Sequence, residues 1–279
     1  MATVQETVQS GIIPIVIELN DVVFFESSER LSRTFLNINS LDLGVLTYKQ
    51  YRFVARRTKQ ANQLAERHLT KLMRIIPTLV EERPEISCYI VPIYSRLLKN
   101  DELVDILVRA LSLYPDAHAG RICLELSSDI LYEDLGETRA SIEKLRSLGF
   151  KIAISEVGDE FCPIFRLAEI DFDYVFLDDF AIQRLMTDEA GERVVGGLVS
   201  YIKSLGARVF APDICYDATA SALRRVGCDG CVGSMVDRPE ADDEMDADTV
   251  LDTVVEDHAP PDEAEPPPDE EVGGDDPDD

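Results

Sequence analysis

The chain has 279 residues, 45% of them hydrophobic, which is enough to bury one large core or two smaller ones. Its formal net charge is −27, but 19 of its acidic residues fall within residues 240–279, a segment that contains no Lys or Arg. Residues 1–239 therefore carry a net charge of only −8, which is ordinary for a mildly acidic domain. We expect no nucleic-acid partner.

The C-terminal segment, residues 240–279, is predicted to be a disordered acidic tail. Its last part, EDHAPPDEAEPPPDEEVGGDDPDD, combines prolines with like charges and has too few apolar residues to offset the entropy of ordering. Residues 1–10 are an N-terminal extension, and residues 11–239 form the predicted folded domain. No apolar run is long enough to span a membrane, and MATVQETVQS does not resemble a signal peptide. The expected location is the cytoplasm.

Strands and helices alternate along the predicted domain. Two strands, in GIIPIVIEL and DVVFFES, precede a helical region from about residue 48 to residue 76. Further strands are predicted at residues 87–93, 121–126, 150–155, 173–178 and 207–212, with a weaker one near residue 230. The stretches between them have helical apolar spacing, which indicates βαβ units and a parallel sheet. Seven or eight strands in about 240 residues predict an α/β fold, a TIM-like (β/α) barrel.

In such a barrel the functional side chains come from the C-terminal ends of the strands. Carboxylates at several strand ends suit hard cations such as Mg²⁺ and Mn²⁺, although a single one is commonly just the N-cap of the next helix. The strand-end residues predicted here are Glu26, Pro92, Glu125, Ser155, Glu156, Asp178, Pro212, Asp213 and Val232.

Four segments of the chain together resemble the EAL domain family, the cyclic di-GMP phosphodiesterases with a (β/α) barrel. They are LELSSDIL, LGFKIAISEVG, IDFDYVFLDDF and VGCDGCVGSMVDRP. In order and spacing they are similar to the family's ELTE, DDFG, lysine-bearing D-x-K-x-D and QG segments. The similarity covers about residues 13–239 and implies a barrel of EAL type. In active members of the family, it also implies a site that holds two metal ions.

Some of the family's site residues are retained by this alignment. Glu26 and Arg30 align with the glutamate and arginine of the Glu-Ala-Leu-Leu-Arg signature, within the stretch ESSER. Glu125 aligns with the first glutamate of ELTE, and Asp178 with the aspartate that follows the family's lysine. Glu26, Glu125, Glu156 and Asp178 are therefore the weak candidates for metal ligands.

Other site positions are changed. Pro92 replaces a metal-binding asparagine, and Phe176 replaces the lysine that stabilises the attacking water and the phosphate. Ser155 and Glu156 replace the paired aspartates of DDFG. Two later glutamates and a glutamine align with Pro212, Cys215 and Val232.

These replacements predict a degenerate EAL domain, a pseudoenzyme without a cofactor. Hydrolysis with two metal ions needs fixed ligands, and losing one electrostatic group from an active site costs roughly 100- to 1,000-fold in rate. We expect a regulatory protein of bacterial signalling, in motility, transcription or cyclic di-GMP-linked control, that acts through a protein partner. The alternatives are a cyclic di-GMP receptor without turnover and a residual phosphodiesterase that uses Mg²⁺ or Mn²⁺. A homodimer also stays open.

The helical region that follows the first two strands is strongly basic, because residues 48–74 contain eight Lys or Arg residues and one acid, Glu66. One interpretation is a solvated helix face whose side-chain stems cover apolar surface. The other is a basic face that binds an acidic partner, for which the acidic tail would compete in cis. The residues predicted for that face are Arg52, Arg56, Arg57, Lys59, Arg67, Lys71 and Arg74.

Overall fold

The computed structural model describes residues 15–40, 44–56, 60–212 and 217–233. The predicted extension, residues 1–10, and the predicted tail, residues 240–279, lie outside these ranges. The described strands are β1 (Ile15–Phe24), β2 (Arg30–Ser40), β3 (Gly44–Leu46), β4 (Ile86–Ile93), β5 (Ile122–Ser127), β6 (Lys151–Val157), β7 (Tyr174–Leu177), β8 (Arg208–Ala211) and β9 (Gly230–Val232). The described α-helices are α1 (Tyr48–Arg56), α2 (Gln60–Glu82), α3 (Glu102–Leu113), α4 (Leu135–Ser147), α5 (Asp179–Leu185), α6 (Glu189–Ser204) and α7 (Asp217–Arg225).

Eight strands close into a barrel in the order β1-β2-β4-β5-β6-β7-β8-β9, and β9 pairs with β1 to complete it. Strand β3 lies outside the ring and pairs only with β2. All neighbours from β2 to β9 around the ring are parallel, whereas β1 is antiparallel to both β2 and β9. The predicted TIM-like (β/α) barrel is therefore confirmed, with one reversed strand.

Apolar side chains fill the inside of the barrel and the layer between strands and helices. Inside, Phe210 makes an edge contact with Phe24 at 5.0 Å between ring centroids and stacks on Phe176 at 5.5 Å. Strand β5 is buried along its whole length, as expected of a parallel strand that is covered on both faces.

The predicted first two strands are wrong in number and position. Residues 15–24 form the single strand β1, and β2, from Arg30 to Ser40, was missed. Asn20 and Asp21 look like a turn in the sequence, but Asn20 lines a cavity and Asp21 accepts two hydrogen bonds from Arg83. Strand β2 was missed because Arg33 and Asn37 interrupt its apolar pattern on the face inside the barrel.

The helical predictions need smaller corrections. The region from residue 48 to residue 76 contains two helices, α1 and α2, and α2 continues through Pro77 to Glu82. The stretch CPIFRLAEI holds a short 3₁₀ helix, Ile164–Glu169, which follows Pro163. Within the described ranges, no helix is long and apolar enough to cross a membrane.

A buried polar network ties helix α2 to strands β2 and β4. The Thr34 hydroxyl donates to the Ile90 carbonyl oxygen at 2.9 Å, and the Nε2 atom of His68 lies 2.9 Å from the same hydroxyl oxygen. Because the only hydroxyl proton goes to Ile90, His68 must donate from Nε2. Burial lowers the pKa of His68 to about 3. The network fixes β2 next to the position of Arg33.

The network predicts acid-sensitive stability. The pKa of His68 is lower in the folded than in the unfolded state, so the unfolded state binds the extra proton between about pH 6.5 and pH 3. The free energy of unfolding should therefore decrease as the pH is lowered through this window. In His68→Gln, whose amide can still donate to Thr34, the loss between pH 7 and pH 5 should be about 2 kcal/mol smaller. Urea unfolding at both pH values measures this difference, and equal losses in the two proteins would contradict it.

Candidate functional site

A cavity of about 430 Å³ opens at the C-terminal ends of the parallel strands. This is the end at which barrel proteins generally build their sites. Seven of the predicted site residues line the cavity: Pro92, Glu125, Ser155, Glu156, Phe176, Asp178 and Pro212.

Three other predicted residues, all of them described, do not line it. Glu26 and Arg30 lie at the opposite end of the barrel, because β1 is antiparallel and β2 only begins at Arg30. There Glu26 is exposed, and Arg30 forms an ion pair with Asp21 at 3.6 Å. Val232 is buried inside the barrel with the aromatic cluster. Cys215 lies outside the described residues, as does Asp213 of the strand-end set.

The centre of the cavity holds a buried ion pair between Arg33 on β2 and Glu125 on β5. Arg33 donates from Nε to Oε2 of Glu125 at 2.9 Å and from Nη2 to Oε1 at 2.6 Å. The side chains are only 14% and 4% exposed, respectively. Both oxygens of Glu125 are therefore engaged by one guanidinium group, the bidentate geometry for which arginine is suited.

Two phenylalanine rings pack against the same guanidinium group. The carbon at its centre lies 4.6 Å from the ring centroid of Phe176 and 5.3 Å from that of Phe35. Both distances are within the range of a favourable cation–π contact. Phe176, on β7, thus supports a cation contributed by β2.

A second ion pair lies at the end of β6. Glu156 has a left-handed backbone conformation, with φ at 63°, and the pairing of β6 with β7 is irregular between Ile154 and Val157. Successive strand residues normally point to opposite faces, and this irregularity explains why Ser155 and Glu156 both line the cavity. One oxygen of Glu156 accepts from Arg52 at 2.9 Å and the other from Ser127 at 2.5 Å.

Asp178 serves mainly as a helix cap. Its side chain accepts a hydrogen bond from the backbone N–H of Phe180 at 2.8 Å, at the N-terminus of α5. Burial raises the pKa of the Asp178 carboxyl, and the nearby carboxylates of Asp179, Asp159 and Glu156 raise it further. The N-cap interpretation of a strand-end carboxylate thus applies to this residue.

Sequence reasoning missed the part of the cavity wall that comes from β1, β2 and α1. Glu18 accepts from Asn37 at 2.7 Å, and the Phe35 and Tyr48 rings stack with centroids 5.4 Å apart. Among the described residues, five carboxylates and three cations line the cavity: Glu18, Glu125, Glu156, Asp178, Asp179, Arg33, Lys49 and Arg52. The stretch RLSRTFLNI has no Gly or Pro and contains Thr, Phe and Ile, which favour strands, and this composition was the signal that could have found β2.

A family model described as the EAL domain matches residues 29–239. The chain belongs to the EAL domain family. The match begins after Glu26, in agreement with the position of that residue outside the cavity. The alignment of the signature with residues 26–30 is therefore wrong. Arg33 and Asn37 have the same spacing as the signature's glutamate and arginine, and both line the cavity.

Curated relatives of this EAL domain match only part of it. An uncharacterised protein of Mycobacterium tuberculosis is 26% identical over 121 residues, which are 43% of this chain and 19% of the relative. A probable cyclic di-GMP phosphodiesterase of Escherichia coli, PdeA, is 22% identical over 119 residues, which are 43% of this chain and 16% of the relative. The chain thus spans about a fifth or less of the length of these relatives.

Solved structures match the EAL domain over most of its length. The MucR phosphodiesterase in a c-di-GMP complex has a TM-score of 0.70 at 19% identity, covering 81% of this chain and 91% of that chain. The FimX EAL domain has a TM-score of 0.72 at 14% identity, covering 82% and 91%. At these identities the likeness establishes the fold.

The residues of the predicted basic face do not all lie on one surface. Arg52 points into the cavity and pairs with Glu156, so it is not part of an outer docking face. Arg67, Lys71 and Arg74 lie on α2, where Arg67 and Arg74 are exposed and Lys71 is half-buried. Nothing is described for Arg57, Lys59 or the side chain of Arg56.

Because the ion pair is buried, removing one of its members should destabilise the protein much more than replacing both. Arg33→Met should lower the free energy of unfolding by about 3–5 kcal/mol, because Glu125 is left as a buried charge without its cation. Adding Glu125→Leu should restore most of the loss. Urea unfolding measures both, with Arg109→Met as the control. Arg109 pairs with Glu66 at the surface, so its loss should cost less than about 1 kcal/mol. Additive effects of the two substitutions would contradict the prediction.

Proposed function

We propose that this EAL domain is a regulatory protein that does not hydrolyse cyclic di-GMP. The observation that carries the proposal is the bidentate ion pair between Arg33 and Glu125 in the centre of the cavity. A glutamate with both oxygens bound to a guanidinium group is a poor ligand for a metal ion. Two-metal hydrolysis depends on carboxylates that hold the ions and on the hydroxide that they generate.

The other side chains at the family's site positions do not fit a pair of metal ions either. Pro92 and Phe176 have no side-chain oxygen, and Ser155 directs its hydroxyl to the Leu126 carbonyl oxygen at 3.5 Å. Glu156 is engaged by Arg52 and Ser127, and Asp178 caps α5. Each of these positions supports the same proposal, because each would have to change before it could serve a metal-dependent reaction.

Regulation through a protein partner is the second part of the proposal. The family is linked to cyclic di-GMP signalling, and this chain combines a complete barrel with a changed site. A domain that keeps its surface and its fold without turnover can still bind another protein. Arg67 and Arg74 on α2 are the exposed residues among the described members of the predicted docking face.

A cyclic di-GMP receptor without turnover is the second candidate. It is favoured by the persistence of a cavity of about 430 Å³ at the usual end of the barrel. The MucR and FimX EAL domains have both been solved with c-di-GMP. Against it, the described part of the cavity wall has five carboxylates and three cations, and this balance disfavours a ligand with two negative charges. We therefore place the receptor second.

The absence of turnover is directly testable. The full chain, incubated with cyclic di-GMP and either Mg²⁺ or Mn²⁺, should release the linear dinucleotide no faster than buffer alone. An EAL phosphodiesterase assayed in parallel supplies the positive control. Hydrolysis above the buffer rate that is lost in Glu125→Gln would overturn the proposal, because it would place catalysis in this cavity.

Calorimetry with cyclic di-GMP separates the two candidates. A regulator that does not bind the nucleotide should give no saturable heat, with or without Mg²⁺. A saturable heat that disappears in Phe35→Ala, a change in the cavity wall, would favour the receptor instead.

Affinity capture from the source cells tests the partner. If the α2 face is the interface, the double variant Arg67→Glu/Arg74→Glu should recover at least about tenfold less of a specific partner, a loss of about 1.4 kcal/mol. Arg139→Glu/Arg193→Glu makes the same charge change on α4 and α6 and should recover as much as the wild type. Equal recovery with both variants would rule out this face.

A further inference from the structure

Two arginine–carboxylate pairs lie at positions where the EAL resemblance expects metal ligands. Glu125 aligns with a metal-binding glutamate and is bound by Arg33, while Glu156 aligns with a metal-binding aspartate and is bound by Arg52. The two arginines come from different elements, β2 and α1. The two pairs therefore form independently of each other.

We propose that the guanidinium groups of Arg33 and Arg52 act as internal cations in place of divalent metal ions, and that Arg33 keeps divalent ions out of the cavity. A cluster of carboxylates near a buried strand end needs positive charge nearby, because burying an isolated charge costs several kcal/mol. In a metal-dependent site the ions supply that charge. In this chain the side chains supply it.

We assign the exclusion of divalent ions to Arg33 because the Arg33–Glu125 pair is more buried and more constrained than the Arg52–Glu156 pair. Its side chain is 14% exposed and that of Glu125 is 4% exposed, against 31% and 25% for Arg52 and Glu156. Two parallel hydrogen bonds hold it on Glu125, and the Phe176 ring packs on its guanidinium group. A divalent ion at Glu125 would have to displace this group or bind beside a like charge, and both are unfavourable.

Removing the guanidinium group should therefore make the cavity responsive to metal. Arg33→Met frees both oxygens of Glu125, which lines the same cavity as Glu156 and Asp178, and carboxylate oxygens are ligands of the kind that Mn²⁺ prefers. This inference extends the proposed function by naming the residue that excludes the metal. Its readout is the thermal unfolding midpoint, so its outcome is independent of whether any nucleotide is hydrolysed.

The experiment compares three full-length proteins with and without Mn²⁺: the wild type, Arg33→Met and the double variant Arg33→Met/Glu125→Gln. At about ten times the dissociation constant of Mn²⁺, the midpoint of Arg33→Met should rise by about 3 °C or more relative to the double variant. The wild type and the double variant should respond equally. Acidic residues 240–279 are present in all three proteins, so their background binding of Mn²⁺ cancels in the comparison.

Two outcomes would overturn the inference. One is a folded Arg33→Met whose midpoint rises no more than that of the double variant. The other is a wild type that Mn²⁺ stabilises more than the double variant, since Arg33 would then not exclude the ion. The comparison of the wild type with the double variant can be made even if Arg33→Met alone does not fold. The double variant should fold, because it leaves no buried charge at this pair.

Discussion

The site depends on one interaction, the two-pronged ion pair that joins Arg33 on β2 to Glu125 on β5 across the intervening strand β4. Its surroundings are organised around it: Phe35 and Phe176 pack against the cation, and Pro92 on β4 is paired in register with Glu125. The pair is possible because β2 and β5 both neighbour β4 in the sheet, and Arg33 and Glu125 both line the cavity. Sequence positions 92 residues apart thereby form the electrostatic centre of the cavity.

In the second ion pair, an unusual backbone conformation at Glu156 places the carboxylate where Arg52 can bind it. A left-handed residue other than glycine costs on the order of 1 kcal/mol or more, so it persists only where its surroundings compensate. At Glu156 the compensation is visible, since Arg52 and Ser127 bind the two carboxylate oxygens. The same kink continues into Gly158, where an added Cβ would lie 2.9 Å from Leu198. The end of β6 is thus shaped by packing as well as by charge.

The sequence predicted the barrel well because most parallel strands are short, largely apolar runs, of which β5 and β7 are examples. It also placed Glu125, Glu156 and Asp178 at the correct end. It failed at β1 and β2, whose polar residues face the cavity and look like a turn or loop when only hydrophobic pattern is used. Arg33 was missed for the same reason, and the stretch ESSER was taken for a signature that it does not contain. The conformation of Glu156 has no sequence signal.

The Arg33–Glu125 pair also limits which single substitutions this site can accept. A glutamate at position 33 alone would place two carboxylates together in a buried site, beside the apolar ring of Phe176. A lysine at position 176 alone would bring a second cation against the guanidinium group. Each of these single changes should give a less stable protein, whereas changes made in compensating pairs need not. The charges around Glu125 are therefore coupled, and they can change only together without a cost in stability.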